Sequence, residues 1–261
     1  MTLEKRDNYF EPKKGKMSAI IGLLTFFTII PIKWYTTIED MAKMVWFTPF
    51  IGLFTGILGA ILAYLLYYIL HLPTFLIACL IYAFFILING CHHLDGLLDF
   101  SDAIMYQGNF EDKIQIMRDP ISGTGALASL FLVGISTIAC FYSLLEAKLI
   151  ILILISEIAG KIGLITTCIS SKAGPNGTGK EFINHITLPY YLFSVIICLI
   201  LSYILNPTYG IFVILGGIIG GGLISYISMK QFNIATGDVL GASNEISRLI
   251  SLILVIIIIN I

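Results

Sequence analysis

The chain carries a succession of apolar stretches, most of them about twenty residues long, separated by short polar breaks. A bilayer core of about 30 Å takes about 20 apolar residues of helix to cross, so this spacing points to a chain that passes through a membrane repeatedly. Lipid offers the backbone no hydrogen-bond partner, which leaves helices or a closed barrel as the spanning structures. The runs lack the alternation of barrel strands, so helices are expected. Spans are predicted at residues 45–70, 74–90, 124–145, 149–169, 188–205, 210–229 and 246–261. Composition agrees, since 57% of the residues are apolar and 12% are charged, which excludes a soluble domain of ordinary make-up. The expected fold is all-α: a polytopic membrane helical bundle in one domain, with about seven transmembrane helices plus a half-inserted N-terminal segment.

That N-terminal segment, MSAIIGLLTFFTIIPI at 17–32, is short and is flanked by Lys13, Lys14 and Lys16 on one side and Lys33 on the other. If it enters and leaves at one face, the loops 33–44, 91–123, 170–187 and 230–245 share the side of the N-terminus. The positive-inside rule makes that side cytoplasmic. Only turns near His71–Pro73, Glu146–Lys148 and Asn206–Tyr209 lie opposite, with Lys148 as their basic residue. The expected location is the cell membrane, with the loops facing the cytoplasm and the C-terminus outside. The segment lacks a small-residue cleavage site and is expected to stay in the mature fold. A formal charge of −1 with scattered basic residues gives no basis for a nucleic-acid partner. Cys79, Cys140, Cys168 and Cys198 lie in or at the ends of apolar runs, so no disulfide framework is expected. No feature of the sequence sets an oligomeric state.

Function is concentrated in GCHHLDGLLDFSDA, 90–103. At 3.6 residues per turn, Asp95, Asp99 and Asp102 share one narrow helix face. Like charges there repel, and unpaired carboxylates beside hydrocarbon are costly. A hard cation such as Mg²⁺ removes the repulsion, taking one or two carboxylates and completing its shell with phosphate and water; a solvated helix face is the plainer alternative. Cys91, His92 and His93 are adjacent and diverge around a helix, matching no zinc pattern. His93 is expected to orient an aspartate or touch substrate, and His92 to line the site.

Downstream, NFEDKIQIMRDPISGTGA reads as a short helix capped by Asn109 and ended by Pro120, presenting Lys113 and Arg118 to the same face. Ser122-Gly123-Thr124-Gly125 then leads into a span, either as a plain turn or as a source of free amides for phosphate. Carboxylates, two cations and a glycine-rich helix entry together suit a diphosphate. In SSKAGPNGTGKEF, Gly174 to Lys180 nearly has Walker spacing, yet Glu181 stands where the motif needs Ser or Thr, which excludes a P-loop. Lys172 and Lys180 are candidates for substrate anions. NIATGDVLGASNEISRL places Thr236, Asp238, Asn244 and Glu245 before the final span, with Asn244 or Ser243 as its expected cap. Glu157 and Lys161, four apart within a span, are expected to pair along one helix face.

HLDGLLDFSDA, KIQIMRDPISGTGA and ATGDVLGASNE, in that order, resemble the cobalamin synthase family of multi-pass adenosylcobinamide-GDP ribazoletransferases. The likeness runs along most of the chain. Where the family has a threonine, arginine, isoleucine, proline run, this chain has Thr28-Ile29-Ile30-Pro31, and Lys161 and Lys172 stand near positions that tend to be arginine. The resemblance implies that a hydroxyl of α-ribazole, or of its 5′-phosphate, attacks the cobinamide-bearing phosphorus of adenosylcobinamide-GDP while GMP leaves. It implies Mg²⁺ on Asp95, Asp99 and Asp102, and Asp238 or Asp102 as acceptor of the hydroxyl proton. Implied substrate contacts are His93, Lys113, Arg118 and Asp119, then Ser122, Gly123 and Gly125, then Lys172, Thr236, Asn244 and Glu245. Two other readings stay open. A CDP-alcohol phosphotransferase would carry an alanine-arginine pair after its first Asp-Gly, which this chain lacks. A cation-coupled transporter would set its charges near mid-membrane in two related halves.

Overall fold

The computed structural model describes residues 12–260. Among them the chain is helical, with no strand, and two loops meet in one parallel bridge between Ala173 and Ala235. Helix α1 (Lys16–Phe27) has 12 residues, a rise of about 18 Å that falls short of a bilayer core. The chain then doubles back. Lys13 N donates to Tyr35 O at 2.9 Å, and Trp34 Nε1 donates to Ser18 Oγ at 2.8 Å. Both ends of the segment therefore lie at one face, as a half-inserted hairpin requires.

Helix α2 (Ile38–Ala42) is capped by Thr37, and one 3₁₀ turn at Val45–Phe47 leads into α3 (Thr48–Tyr64), which has Pro49 in its first turn. Helix α4 (Thr74–Ile88) ends where Gly90 and Cys91 take left-handed φ values of 63° and 61°. This reversal swings α5 (His92–Met105) out at 91° to α4. Helix α6 (Phe110–Ile116) starts at Asn109, whose side chain accepts from Asp112 N at 2.8 Å. Then come α7 (Thr124–Glu146), α8 (Ile150–Ser170), α9 (Thr178–His185), α10 (Leu188–Leu205), α11 (Gly210–Phe232) and α12 (Gly237–Ile259). Among the described residues, six helices are long and apolar enough to cross a membrane: Val45–Ile69, α7, α8, α10, α11 and α12. A seventh crossing results when α4 and α5 are counted together as one bent span. The chain is a multi-pass membrane protein, and all five cysteines are free.

The bundle is built around α8, whose residues from Leu152 to Cys168 are all buried. A helix enclosed on every side belongs at the centre. It packs on α3, α11 and α12, and the small-residue faces of α11 and α12 let their backbones approach closely. Two expectations change here. The last helix begins at Gly237 rather than near 246, and its cap is Thr236, which accepts from Val239 N at 3.4 Å. Ser243 and Asn244 are buried within the helix. A hydropathy pattern hides this start because the polar residues of the first turns face protein partners instead of lipid. Nor do Glu157 and Lys161 pair. Arg248 Nη1 donates to Glu157 Oε1 at 2.8 Å and Arg248 Nη2 to Glu245 Oε2. Lys161 Nζ lies 2.7 Å from His93 Nε2 and donates to Asn244 Oδ1 at 2.9 Å. Partners from α5 and α12 thus replace the local one.

Candidate active site

The site is assembled by two close backbone approaches. A Cβ on Gly96 would stand 2.7 Å from Asp238 O, so glycine is what lets α5 rest on the first turn of α12. A Cβ on Gly179 would stand 2.5 Å from Gly237 N, and the same reasoning holds α9 against α12. The bridge fastens the loops that precede them: Gly174 N donates to Ala235 O at 3.0 Å and Ala235 N to Lys172 O at 2.8 Å.

Three helix amino termini consequently converge on one cavity of about 270 Å³. It is lined by His92, His93 and Asp95 from α5, by Thr178, Gly179 and Phe182 from α9, and by Gly237, Asp238, Leu240 and Gly241 from α12. Phe26 and Phe27 of α1 and Leu164 of α8 complete it. A second cavity of about 280 Å³ shares Thr178, Gly237 and Asp238, and adds Ile114, Met117, Arg118, Asn176, Gly177 and Thr236. Helices α5 and α9 begin without a side-chain cap. Their first amides and dipoles favour an anion.

Asp95 is exposed, and Asp99, one turn along, is half-buried. Burial, followed by the charges of Asp95, Asp238 and Asp102, pushes the Asp99 carboxyl up to about 6. Among the described residues, no three His, Cys, Asp or Glu side chains form a ready-made metal cage. Asp238 Oδ2 accepts from Thr236 Oγ1 at 3.2 Å. Because an ammonium only donates, Lys161 beneath the cavity makes His93 Nε2 an acceptor and puts the ring proton on Nδ1.

Asp102 faces elsewhere. Its Oδ2 accepts from Gly123 N at 2.5 Å and its Oδ1 from Ala126 N at 2.8 Å, so it caps α7, where Gly123 has no side chain to do so. The anion at the start of α7, which the glycine-rich entry led us to expect as a phosphate, is the protein's own carboxylate. Asp102→Ala is expected to cost about 0.5–2 kcal/mol of stability, as loss of a cap does, with Asp102→Asn recovering part of it. Thermal unfolding in detergent measures this, and an unchanged Tm for the alanine variant would refute the capping role.

The remaining expected residues divide. His93 and Asp95 line the first cavity, Arg118 and Thr236 the second, and Asp238 both. Lys113 Nζ donates to Gln231 Oε1 at 2.5 Å, tying α6 to α11. Asp119 Oδ1 accepts from Ile121 N at 2.9 Å within a turn. Ser122, Gly123 and Lys172 are exposed, Gly125 is half-buried against α5, and none of these four lines either cavity. Lys180 Nζ donates to Pro175 O at 3.1 Å. Asn244 and Glu245 are buried beneath the site in the network of Lys161 and Arg248. Phe26, Phe27, Thr178, Gly179 and Phe182 enter the site without having been singled out from sequence. For the α9 residues the signal was Gly177-Thr178-Gly179 leading into a short helix, a pattern that resembles a P-loop only in spacing.

Fold and site define a class: a polytopic helical membrane protein that gathers carboxylates and uncapped helix amino termini around paired cavities at one end of its bundle. Residues 19–256 match the family model described as cobalamin-5-phosphate synthase, and the chain belongs to that family. It is 31% identical to an adenosylcobinamide-GDP ribazoletransferase of Methanococcoides burtonii over 249 residues, covering 91% of each chain. A relative of the same name from Picrophilus torridus is 30% identical, with 92% of this chain and 98% of the relative covered. One from Clostridium botulinum (strain Langeland) is 28% identical, with 93% and 99% covered. No solved structure matches the chain.

Proposed function

We propose that this chain transfers the adenosylcobinamide phosphate group of adenosylcobinamide-GDP to α-ribazole or its 5′-phosphate, releasing GMP. The observation that carries the reading is Asp238 in the wall common to two cavities. A transferase must bring two substrates to one point, and a carboxylate there can take the proton of the attacking hydroxyl. The family and the relatives' names supply the substrates. A CDP-alcohol phosphotransferase and a transporter have no such support.

In this mechanism Arg118 and the first amides of α9 bind phosphate oxygens of the donor. The acceptor hydroxyl attacks the cobinamide-bearing phosphorus, the new P–O bond forms as the bond to GMP breaks, and Asp238 takes the hydroxyl proton. Thr236 holds the Asp238 carboxylate in place. Positioning and charge compensation supply most of the rate, as in other phosphoryl transfers. Asp95 and Asp99 are the proposed holders of Mg²⁺, leaving Asp102 on α7. The donor set fits: two carboxylates one helical turn apart on α5, without a closed cage, suit an ion that completes its shell with substrate phosphate. When bound, the ion would neutralise charge on the diphosphate.

The proposed setting is the cell membrane with the site facing the cytoplasm. Lys13, Lys14, Lys16, Lys33, Lys43, Lys113, Arg118, Lys172 and Lys180 all belong to the site end, against Lys148 in the opposite turns. That asymmetry supports the orientation. Purified protein given adenosylcobinamide-GDP, α-ribazole and Mg²⁺ is expected to release GMP only when all three are present. CMP release from a CDP-alcohol, or substrate-independent ion flux in liposomes, would overturn the proposal.

A further inference from the structure

The two cavities share a wall but differ in chemistry, and the difference assigns their occupants. One end of the first cavity is aromatic. Phe182 lies 5.4 Å from Phe26 and 5.9 Å from Phe27 between ring centroids, and Phe27 stacks on His93 at 5.6 Å. Leu164 and Leu240 extend this apolar surface, and Asp95 and Asp238 add two carboxylates to the lining. Among the described residues no lysine or arginine lines it. A diphosphate placed among these rings would have the first amides of α5 and α9 but no side-chain cation, and would reach the carboxylates only through the proposed Mg²⁺. The second cavity has Arg118 and Asn176 around the same Asp238, with Thr178 at the start of α9 common to both cavities.

We infer that the first cavity is the acceptor subsite, in which the flat heteroaromatic base of a nucleoside lies among Phe26, Phe27 and Phe182 with its sugar hydroxyls toward Asp238. The phosphate end of the donor then occupies the second cavity, with the reacting phosphorus at the common wall. This assignment rests on the transferase reading above. An uncharged aromatic base gains from stacking and apolar burial at the Phe end, and a sugar hydroxyl donates well to a carboxylate. The same assignment gives α1 a task. Its hairpin is too short to cross a membrane, and its tip supplies Phe26 and Phe27 to the wall of this cavity.

Steady-state kinetics with both substrates varied test the assignment. Phe182→Leu keeps apolar volume and removes the ring face, so the KM for α-ribazole is expected to rise about tenfold, with the KM for adenosylcobinamide-GDP within about twofold of wild type. Phe182→Tyr should restore the acceptor KM. A rise confined to the donor KM, or no change in either, overturns the assignment. Should Phe182→Leu fail to fold, wild-type binding decides. The free base of α-ribazole should displace α-ribazole and GMP should not, and displacement by GMP overturns the inference. Absence of GMP release by the wild-type protein overturns the transferase reading itself. Wild-type turnover with an unsplit Phe182→Leu profile overturns only the subsite.

Discussion

Asp95→Asn is expected to lower the rate of GMP release by about a thousandfold and to leave the thermal unfolding midpoint close to wild type. Charge stabilisation by a bound divalent ion is worth several kcal/mol, and each ~1.4 kcal/mol is a factor of ten in rate. Asparagine keeps the shape of the side chain while removing the charge that would hold the ion. Stability should survive because Asp95 is exposed at the cavity, and because the change relieves repulsion on Asp99. Returned toward the ordinary carboxylate range, Asp99 would be ionised at a lower pH, yet one carboxylate would remain where two are proposed. Raising Mg²⁺ should therefore recover part of the lost rate. Asp102→Ala supplies the contrast, since it is expected to act first on Tm through α7. If Asp95→Asn turned over like wild type while Asp102→Asn did not, the proposed division of labour along α5 would be wrong.

What could be read from the sequence follows the range of the interactions involved. The helix that carries Asp95, Asp99 and Asp102, the cap at Asn109 and most of the breaks between spans are set by residues within one or two helical turns, and each lies where the pattern places it. The hairpin of α1 was legible from its length and its flanking lysines. The start of α12 was not, because Asn244 and Glu245 look like loop residues until Lys161 and Arg248 are known to face them. Spacing brought Glu157 and Lys161 together on paper, whereas the guanidinium that Glu157 meets lies 91 positions away in the chain. The site was half visible for the same reason. Asp95 and Asp238 stood out as charges with no local explanation, but the meeting of Gly96 with α12, and of Gly179 with Gly237, exists only once the helices are packed. A carboxylate on α5 capping α7 was equally hidden, and it changes the meaning of a glycine-rich helix entry.

Arg248→Met is the substitution expected to harm the fold most. Arg248 is 1% exposed and stands between Glu157 and Glu245, with the Tyr82 ring 5.5 Å from its guanidinium. Methionine matches much of its apolar volume but leaves two buried carboxylates without their guanidinium partner, with Lys161 as the remaining cation of the network. Breaking a buried pair in this way costs about 3–5 kcal/mol, and an uncompensated charge within a membrane bundle is unfavourable in its own right. A fall in Tm on the order of 10 °C in detergent is expected. Replacing Arg248 and both carboxylates together, as Arg248→Met with Glu157→Gln and Glu245→Gln, removes the uncompensated carboxylates, leaves Lys161 to its contacts with Asn244 and His93, and should return part of that stability. The triple variant then isolates what the cluster does for the site. Asn244 Nδ2 donates to Glu245 Oε1 at 3.1 Å, and Asn244 also accepts from Lys161, which holds His93 at the cavity. The charges thus reach the site through a chain of hydrogen bonds that the triple variant weakens at its Glu245 end. Restored Tm with reduced GMP release would mean that the cluster positions the first turn of α5, and restored Tm with full activity would confine it to holding α8 and α12 together. A wild-type Tm for Arg248→Met alone would show that these carboxylates do not depend on the guanidinium, and the ion-pair cluster would then have no part in holding the bundle.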